Sequence, residues 1–357
     1  MKFDLLDRYV VRCFLGSLAV AFVFFFGFFV VIDLFASADE FVETAQKQAI
    51  PAGTMVAWVA GLYLYKAPAI FLQVLPFVTV IGAVAALARL NRQNELIPVL
   101  MSGRSIFRLL RPLFVVAGGL TVAMLLVQEF VAPAASDRRL ARQCFLRDGK
   151  RGLEVRAQFE DGQGRYWSGL TLEPVSGTLL AGSVRAVQGE RVEIIDLVDA
   201  SYDAHRGGWS MAGGIVRILD DERGREESRL SLLESDLTPR RIAAQEKEPF
   251  DLSFADLAAL FGATAQPRFQ VLLHYHVAFP LANLLLLLLA LPFVLRYDRQ
   301  RVMQGFAIAF FLCVAYFGVD AALRALGESK LHPVLAAWFA PLLFGALGIT
   351  LIDGVRT

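Results

Sequence analysis

Six apolar stretches, three on each side of one long polar segment, dominate this sequence. Each is long enough to form a helix across the hydrocarbon layer of a membrane, which is roughly 30 Å thick and takes about 20 residues to cross. The polar segment, Pro133–Arg268, carries 41 of the 69 Asp, Glu, Lys and Arg side chains. The pattern predicts a polytopic α-helical membrane protein with six transmembrane helices, three before and three after an inserted domain.

The boundaries of these stretches divide the chain into three parts. We predict an N-terminal membrane half over residues 1–132, an extramembrane domain over 133–268 and a C-terminal membrane half over 269–357. The predicted spans are Cys13–Phe35, Leu62–Ala88, Pro112–Ala132, Phe269–Leu295, Val302–Leu323 and Pro333–Ile352.

The basic residues of the short loops predict the orientation, because Lys and Arg concentrate on the cytoplasmic side of membrane proteins. With the N-terminus inside, twelve basic residues face the cytoplasm and four face outward. The outward four are Lys47, Lys66, Arg324 and Lys330. We therefore expect both termini in the cytoplasm and the inserted domain on the far side, which in a bacterial inner membrane is the periplasm.

The inserted domain has the alternation and turn signals of β-structure. Short apolar–polar runs are separated by glycine-containing turns, which favours a β-sandwich or jelly roll. The predicted strands are Val155–Phe159, Tyr166–Leu172, Leu180–Val187, Val192–Val198, Trp209–Leu219 and Arg229–Leu233. Asp251–Phe261, capped by Asp251 or Ser253, is predicted to be a short helix that returns to the membrane.

Residues 91–103 (NRQNELIPVLMSG), here called the coupling segment, predict a short cytoplasmic helix between spans two and three. Glu95 favours the positive start of such a helix, and Gly103 can end it. The apolar side chains Leu96, Ile97, Leu100 and Met101 could dock into a partner's groove. From the residues alone, an interfacial helix that only covers the base of the bundle is the favoured interpretation.

Several classes of function lack support in the sequence. It contains no G-x-x-x-x-G-K-[ST] for nucleotide phosphates, no H-E-x-x-H and no G-x-S-x-G, so we assign neither catalytic nor metal-binding residues. His274 and His276 point away from each other on a helix and cannot share one metal ion. There is no basic stripe with interleaved aromatics for nucleic acid. Cys144 is the only cysteine of the inserted domain, so no internal disulfide is expected there.

Several segments, in order along the chain, resemble the LptF/LptG (YjgP/YjgQ) permease family of the lipopolysaccharide-export ABC transporter. They are the start LLDRY (Leu5–Tyr9), DLFASADEF (Asp33–Phe41), the coupling segment from Asn94 to Gly103, HYHVAFPLANLLLLLLALPFVLR (His274–Arg296) and LHPVLAAWF (Leu331–Phe339). Two residues depart from the family pattern. Tyr275 stands where a basic residue usually follows the histidine, and Pro98 replaces a helix former.

The resemblance implies a permease without catalytic activity or cofactor of its own, driven by a cytoplasmic ABC ATPase dimer that uses ATP. It also implies pairing with a second permease of the same kind, or with itself, and a periplasmic β-jellyroll on the chain. The lipopolysaccharide would pass to LptC/LptA-like jellyroll proteins. On this basis Glu95, Leu96, Leu100, Met101 and Gly103 are the expected ATPase-coupling residues.

Basic residues near the outer ends of the spans are candidates for binding the phosphorylated headgroup, since Arg matches phosphate oxygens bidentately and Lys supplies a point charge. They are Lys66, Arg138, Arg139 and Arg142. A solvated flank beside the membrane remains an alternative. Asp320 and Arg324 are spaced for a local ion pair on one helix face. The run Phe24–Phe29 is either lipid-facing or part of a gate for acyl chains.

Other functions remain open at this point. The chain could be a permease for another envelope lipid or for a lipoprotein, a membrane-anchored periplasmic enzyme, or a scaffold that tethers the β-domain. The three-plus-three order argues against the lipoprotein transporters, and the lack of a nucleophile or metal motif argues against the enzyme.

Overall fold

The computed structural model describes residues 4–93, 95, 106–188, 191–220, 224–296 and 302–353. These fall into two compact units. The bundle unit comprises Met1–Asp33, Ala67–Pro133 and Leu252–Thr357, and the sheet unit comprises Leu34–Lys66 and Ala134–Asp251. The sheet unit therefore includes the ends of the first two long helices as well as most of the inserted domain.

Long helices form the membrane part, and six of them are long and apolar enough to cross a bilayer. The predicted fold class is confirmed: six candidate membrane helices with an antiparallel sheet inserted after the third. The helices are α1 (Leu5–Lys47), α2 (Ala52–Arg92), α3 (Ile106–Leu126), a π-helical turn (Val127–Val131), α4 (Ala132–Asp148), α5 (Pro239–Ala244), a 3-10 turn (Pro249–Asp251), α6 (Phe254–Thr264), α7 (Pro267–Arg296), α8 (Val302–Gly327) and α9 (Pro333–Asp353).

The first two helices extend well beyond the predicted spans. At 43 and 41 residues, α1 and α2 are each about 60 Å long, twice the thickness of the hydrocarbon layer. α2 continues through Pro68 and Pro76 without a break between its ends. Hydropathy marks only the apolar part of such a helix, which explains why the predicted spans were shorter.

The bundle unit has one buried apolar cluster, to which α1, α2, α3, α7, α8 and α9 contribute. The approach of α1 to α2 is closest at Gly82, where a Cβ atom would lie 3.0 Å from the Cα atom of Leu18. The apolar window of α1 is only 6% buried by the rest of the chain, whereas that of α2 is 72% buried. Span one is thus held far less firmly by its own chain than span two.

The sheet unit contains one antiparallel sheet in which sequence neighbours pair. The order is β1-β3-β4-β5-β6-β7, and β2 also pairs with β3. The strands are β1 (Leu153–Val155), β2 (Phe159–Glu160), β3 (Tyr166–Leu172), β4 (Leu179–Gln188), β5 (Arg191–Asp203), β6 (Gly208–Asp220) and β7 (Gly224–Glu234). The predicted strand Val155–Phe159 is wrong as a single element, because its middle residues join neither β1 nor β2.

A line at which the inward face of the strands changes from odd to even positions, here called the crease, runs across the sheet. It gives the meander a wrapped, jellyroll-like surface. On β5 the buried residues are Ile195 and Leu197 before the crease and Ala200 after it, so the inward face changes from odd to even positions. Asp199, at this point, has a positive φ of 48°. On β3, Trp167 and Leu170 show the same change.

Bulges lie along the same line on β3 and β6, and Gly169 of β3 has a φ of 62°. Bulges of this kind bend strands and re-aim their side chains. The two halves of each long strand can therefore face one core, to which Trp167, Trp209 and Ile242 of α5 belong.

The predicted return helix is present as α6. It begins after Ser253, whose hydroxyl accepts a hydrogen bond from the backbone N–H of Asp256 at 3.1 Å. Ser253 rather than Asp251 is the cap, since Asp251 is engaged elsewhere, as described below.

Candidate functional site: the coupling glutamate, the outer arginines and an apolar groove

Glu95, the predicted ATPase contact, lies directly after α2. Its backbone N–H donates to the carbonyl of Leu90 at 3.1 Å, which closes the end of the helix. Its carboxylate accepts a hydrogen bond from the hydroxyl of Tyr9 at 2.7 Å. Asn91 and Arg92 of the coupling segment belong to α2. The other predicted coupling residues, Leu96, Leu100, Met101 and Gly103, lie outside the described residues.

A second contact joins the start of α1 to the start of α3. The carboxylate of Asp4 accepts a hydrogen bond from Arg108 Nη2 at 2.8 Å. Asp4 precedes the first residue of α1, and its own N–H donates to the Asp7 carboxylate at 3.1 Å, as in a capping box. The beginning of α1 thus bonds to Glu95 and to Arg108, on either side of residues 96–105.

Arg139, one of the four predicted headgroup residues, is committed to an internal ion pair. It is 2% exposed, bonds to Asp251 through Nη2 and lies 3.1 Å from Glu248 Oε1 through Nη1. Burial raises the pKa of Asp251 above its ordinary value, although Arg139 favours the ionised carboxylate. Arg139 therefore anchors the end of the inserted domain to α4.

The other three predicted headgroup residues differ in exposure. Arg138 is exposed, whereas Arg142 and Lys66 are half-buried. Arg142 donates to the carbonyl of Trp58 at 3.4 Å, and its guanidinium lies 5.7 Å from the ring centre of Tyr65. Arg142 is therefore already engaged by two residues of α2.

The carboxylates at the outer end of span one are ion-paired. Arg147 donates to Glu40 through Nε at 2.6 Å and through Nη2 at 2.8 Å, which lowers the pKa of Glu40 and joins α1 to α4. Glu43 pairs with Lys47 at 2.6 Å on the same helix. These two carboxylates therefore hold helices together or pair locally.

A contact between a buried histidine of α7 and a glutamate of the π-helical turn escaped prediction. His276 Nε2 lies 3.2 Å from Glu129 Oε2, which also accepts a hydrogen bond from the backbone N–H of Phe254 at 2.9 Å. Glu129, a single acidic residue within the predicted third span, was the available signal. His274 has a different partner, the indole N–H of Trp338 at 3.5 Å, so the two histidines diverge as expected.

The predicted pair of Asp320 and Arg324 is present, with 3.9 Å between Oδ2 and Nε. The guanidinium also lies 4.3 Å from the ring centre of Tyr275. Tyr275, which departs from the family pattern, thus packs on a basic side chain supplied by α8.

The bundle unit contains an apolar groove of 670 Å³, and α1, α2 and α8 line it. Phe24 and Phe25 belong to its wall, as do Phe306 and Phe310, while Arg89 is its basic lining residue. Part of the Phe24–Phe29 run therefore faces a cavity rather than only the outer surface. A groove of this composition suits hydrocarbon chains.

Comparison with known proteins gives one decisive match. The family described as lipopolysaccharide export system permease LptF/LptG matches residues 8–353. The chain belongs to the LptF/LptG family. A search of curated proteins finds no significant match.

Membership in the LptF/LptG family confirms the resemblance seen in the sequence and covers both membrane halves and the inserted domain. The chain is thus a member of a family of lipopolysaccharide export permeases, with the six apolar helices of a multi-pass membrane protein. The members of this family are permease subunits of an export system.

Proposed function

We propose that this LptF/LptG chain is a transmembrane subunit of an ABC transporter that extracts lipopolysaccharide from the inner membrane and passes it to a periplasmic β-jellyroll bridge. The observation that carries the proposal is the family match over nearly the whole chain, together with an apolar groove lined by three membrane helices. A lipid with several acyl chains needs such an apolar surface, because exposing hydrocarbon to water is costly.

The partners follow from what the chain lacks and what it presents. It has no nucleotide-binding loop in its sequence, so a cytoplasmic ABC ATPase dimer would supply the energy and the chain itself would need no cofactor. A second LptF/LptG-type permease, or a second copy of this chain, would complete the cavity. LptC/LptA-like jellyroll proteins would receive the lipid from the sheet unit. The excess of Lys and Arg on the short inner loops supports cytoplasmic termini and a periplasmic sheet.

We propose Glu95 as the central ATPase contact, with Leu96, Leu100, Met101 and Gly103 around it. Glu95 is partly exposed at the end of α2, where a basic residue of the ATPase can reach its carboxylate. For the substrate, Arg138, Arg142 and Lys66 are better placed than Arg139, since Arg139 is buried against two carboxylates. Headgroup phosphates would be held by the first three, and Arg139 would keep the domain in place.

The test is affinity purification of the full chain in mild detergent, with and without the Glu95→Lys substitution. We expect the wild type to copurify with an ATPase and a second six-span permease. Charge reversal at Glu95 should weaken ATPase retention at least about tenfold, since two like charges facing each other at an interface cost about 1.4 kcal/mol or more. Lipopolysaccharide export should fail in the same strain.

Glu328→Lys is the matched control, because Glu328 is an exposed acidic residue that follows α8 and is predicted to lie on the periplasmic side. This variant should retain the ATPase. If wild type retains no ATPase, or if Glu95→Lys exports normally, the coupling role is refuted. If the purified complex, reconstituted in proteoliposomes, moves another envelope lipid but not lipopolysaccharide, the substrate assignment is refuted while the permease assignment stands.

A further inference from the structure

The two contacts made by the start of α1 assign it a role of its own. We infer that Asp4–Tyr9, here called the strap, joins the coupling segment directly to span one, with Tyr9 as the positioning residue for Glu95. Movement of the coupling segment is then passed to the α1 wall of the groove as well as to α2 and α3. This inference rests on the proposed function, in which Glu95 meets the ATPase.

Tyr9 fixes the carboxylate of Glu95. The hydroxyl of Tyr9 donates to Glu95 Oε2 at 2.7 Å and lies 3.5 Å from Gln93 Oε1. The backbone of Glu95 is held at the end of α2 through Leu90. Glu95 is therefore the residue at which α1, α2 and the coupling segment meet, and the Tyr9 hydroxyl sets the direction of its side chain.

Asp4 provides the second attachment, on the far side of the coupling segment. Its bond to Arg108 connects the N-cap of α1 to the first turn of α3. Tyr9 and Asp4 are 86 and 104 residues from their partners along the chain, so neither contact is a local feature of a helix. The strap thus contacts the chain on both sides of residues 96–105, the part that is expected to receive the ATPase.

The helix that begins in the strap, α1, also lines the groove. α1 is one helix from Leu5 to Lys47, and Gly16, Val20 and Phe24 on it line the groove. Val10 and Phe14 lie between the strap and the groove and are buried in the core of the bundle unit. A helix transmits displacement along its length because its hydrogen-bonded turns are stiff. A push on Glu95 therefore reaches the groove wall through about four turns of helix.

Span one is also the span that its own chain restrains least, at 6% burial of its apolar window. The strap contacts lie at exposed side chains, and exposed ion pairs contribute little to stability. A purely structural surface contact would therefore leave both folding and transport unchanged when removed. A strap that transmits movement would leave folding unchanged and reduce transport.

The test uses the complete transporter reconstituted in proteoliposomes and measures lipopolysaccharide moved per ATP hydrolysed. Tyr9→Phe removes one hydroxyl and keeps the ring, and we expect this ratio to fall about fivefold while the ATPase still copurifies. Tyr166→Phe, at an exposed tyrosine of β3, is the matched control and should match wild type. An unchanged ratio in Tyr9→Phe overturns the role of Tyr9.

A charge exchange tests the second attachment. Asp4→Arg and Arg108→Asp should each reduce the ratio, and the double variant should recover at least half of the loss, because the exchanged pair restores the attraction. A double variant that performs no better than either single variant refutes the Asp4 attachment. If ATPase copurifies with wild type and Glu95→Lys loses it while all strap variants transport normally, only the strap is refuted. If wild type retains no ATPase, the proposed function itself fails.

Discussion

The sheet unit and the bundle unit both bury polar side chains, but they supply them with partners to different degrees. In the sheet unit, the carboxylate of Asp161 accepts hydrogen bonds from Gln163, Arg165, Trp167 and Ser235, at 2.8 to 3.2 Å. In the bundle unit, neither polar atom of the fully buried Gln128 side chain has a partner among the described residues.

The same contrast holds for other buried groups of the bundle. Within the part of the chain that is described, His276 Nδ1 and Asn283 Oδ1 also lack a hydrogen-bond partner. A buried polar atom without a partner costs free energy. Several such atoms in one unit are free to form hydrogen bonds to water, to another molecule or in a rearranged state. In the described part of the sheet unit, the buried side-chain atoms without a hydrogen-bond partner are Arg139 Nε and Arg241 Nε, and both guanidinium groups are ion-paired through their Nη atoms. We expect its polar residues to dominate stability and those of the bundle to contribute less.

The largest effect should come from Arg139. Arg139→Met leaves Asp251 buried without its partner, and breaking a buried pair in this way costs about 3–5 kcal/mol of unfolding free energy. Thermal unfolding of the detergent-purified chain, followed by tryptophan fluorescence, measures this loss, since Trp167 and Trp209 lie in the core of the sheet. Arg138→Met, at the exposed neighbour, should change stability by less than about 0.5 kcal/mol. Equal effects at both arginines would contradict the comparison.

A smaller effect is expected at Asp161, and it should depend on pH. Burial alone would raise the pKa of Asp161, but hydrogen bonds from Arg165 and Trp167 outweigh burial and lower it. Asp161→Asn should therefore cost about 1–3 kcal/mol near neutral pH.

The direction of the pH dependence follows from proton binding. Because the folded state has the lower pKa, the unfolded state binds more protons in acid. The stabilisation is complete above the ordinary carboxyl pKa of about 3.9 and is lost as pH falls through the lower value of the folded protein. The difference between wild type and Asp161→Asn should shrink over that acid range, whereas Glu160→Gln, at an exposed neighbour, should resemble wild type throughout. A pH-independent difference would show that the charge of Asp161 is not what the sheet needs.

The smallest effect should occur in the bundle unit, at Asn283. Its Nδ2 donates to the carbonyl of Ala117 and to the hydroxyl of Thr121, both at 3.1 Å. Hydrogen bonds between membrane helices are worth about 0.6 kcal/mol on average, so Asn283→Leu should lower the free energy of unfolding by less than about 1 kcal/mol. Thr121→Val removes one of the two acceptors, so it should lower the free energy of unfolding by less than Asn283→Leu does. A loss as large as that of Arg139→Met would remove the distinction between the units.

The sequence predicts the elements of this fold well, because each depends on local periodicity. Hydropathy identified all six membrane helices, and alternation identified β3 at its observed bounds, Tyr166–Leu172. It failed at residues 155–159, where residues 156–158 belong to neither β1 nor β2 although the residues still alternate. Alternation could not predict the crease either. Each half of a strand alternates normally, and only the choice of odd or even positions for the inward face changes.

The site was less predictable, because its contacts join residues far apart in the chain. Glu95 could be chosen from the sequence, but its bond to Tyr9 could not. Arg139 was chosen for its charge, while its partner Asp251 lies 112 residues away and determines that the charge is buried. Neither composition nor spacing reports such pairs, which depend on how the elements pack.

The crease in the sheet has a consequence for tolerance to length changes. Adding or removing one residue in an ordinary strand exchanges its two faces from that point to the end. Here Asp199 and the bulges beside Ser168 and Ser210 already perform one such exchange in mid-strand. An indel near the outer tip of a strand would thus misplace only the side chains of that half, and a compensating indel at the crease would return them to the interior.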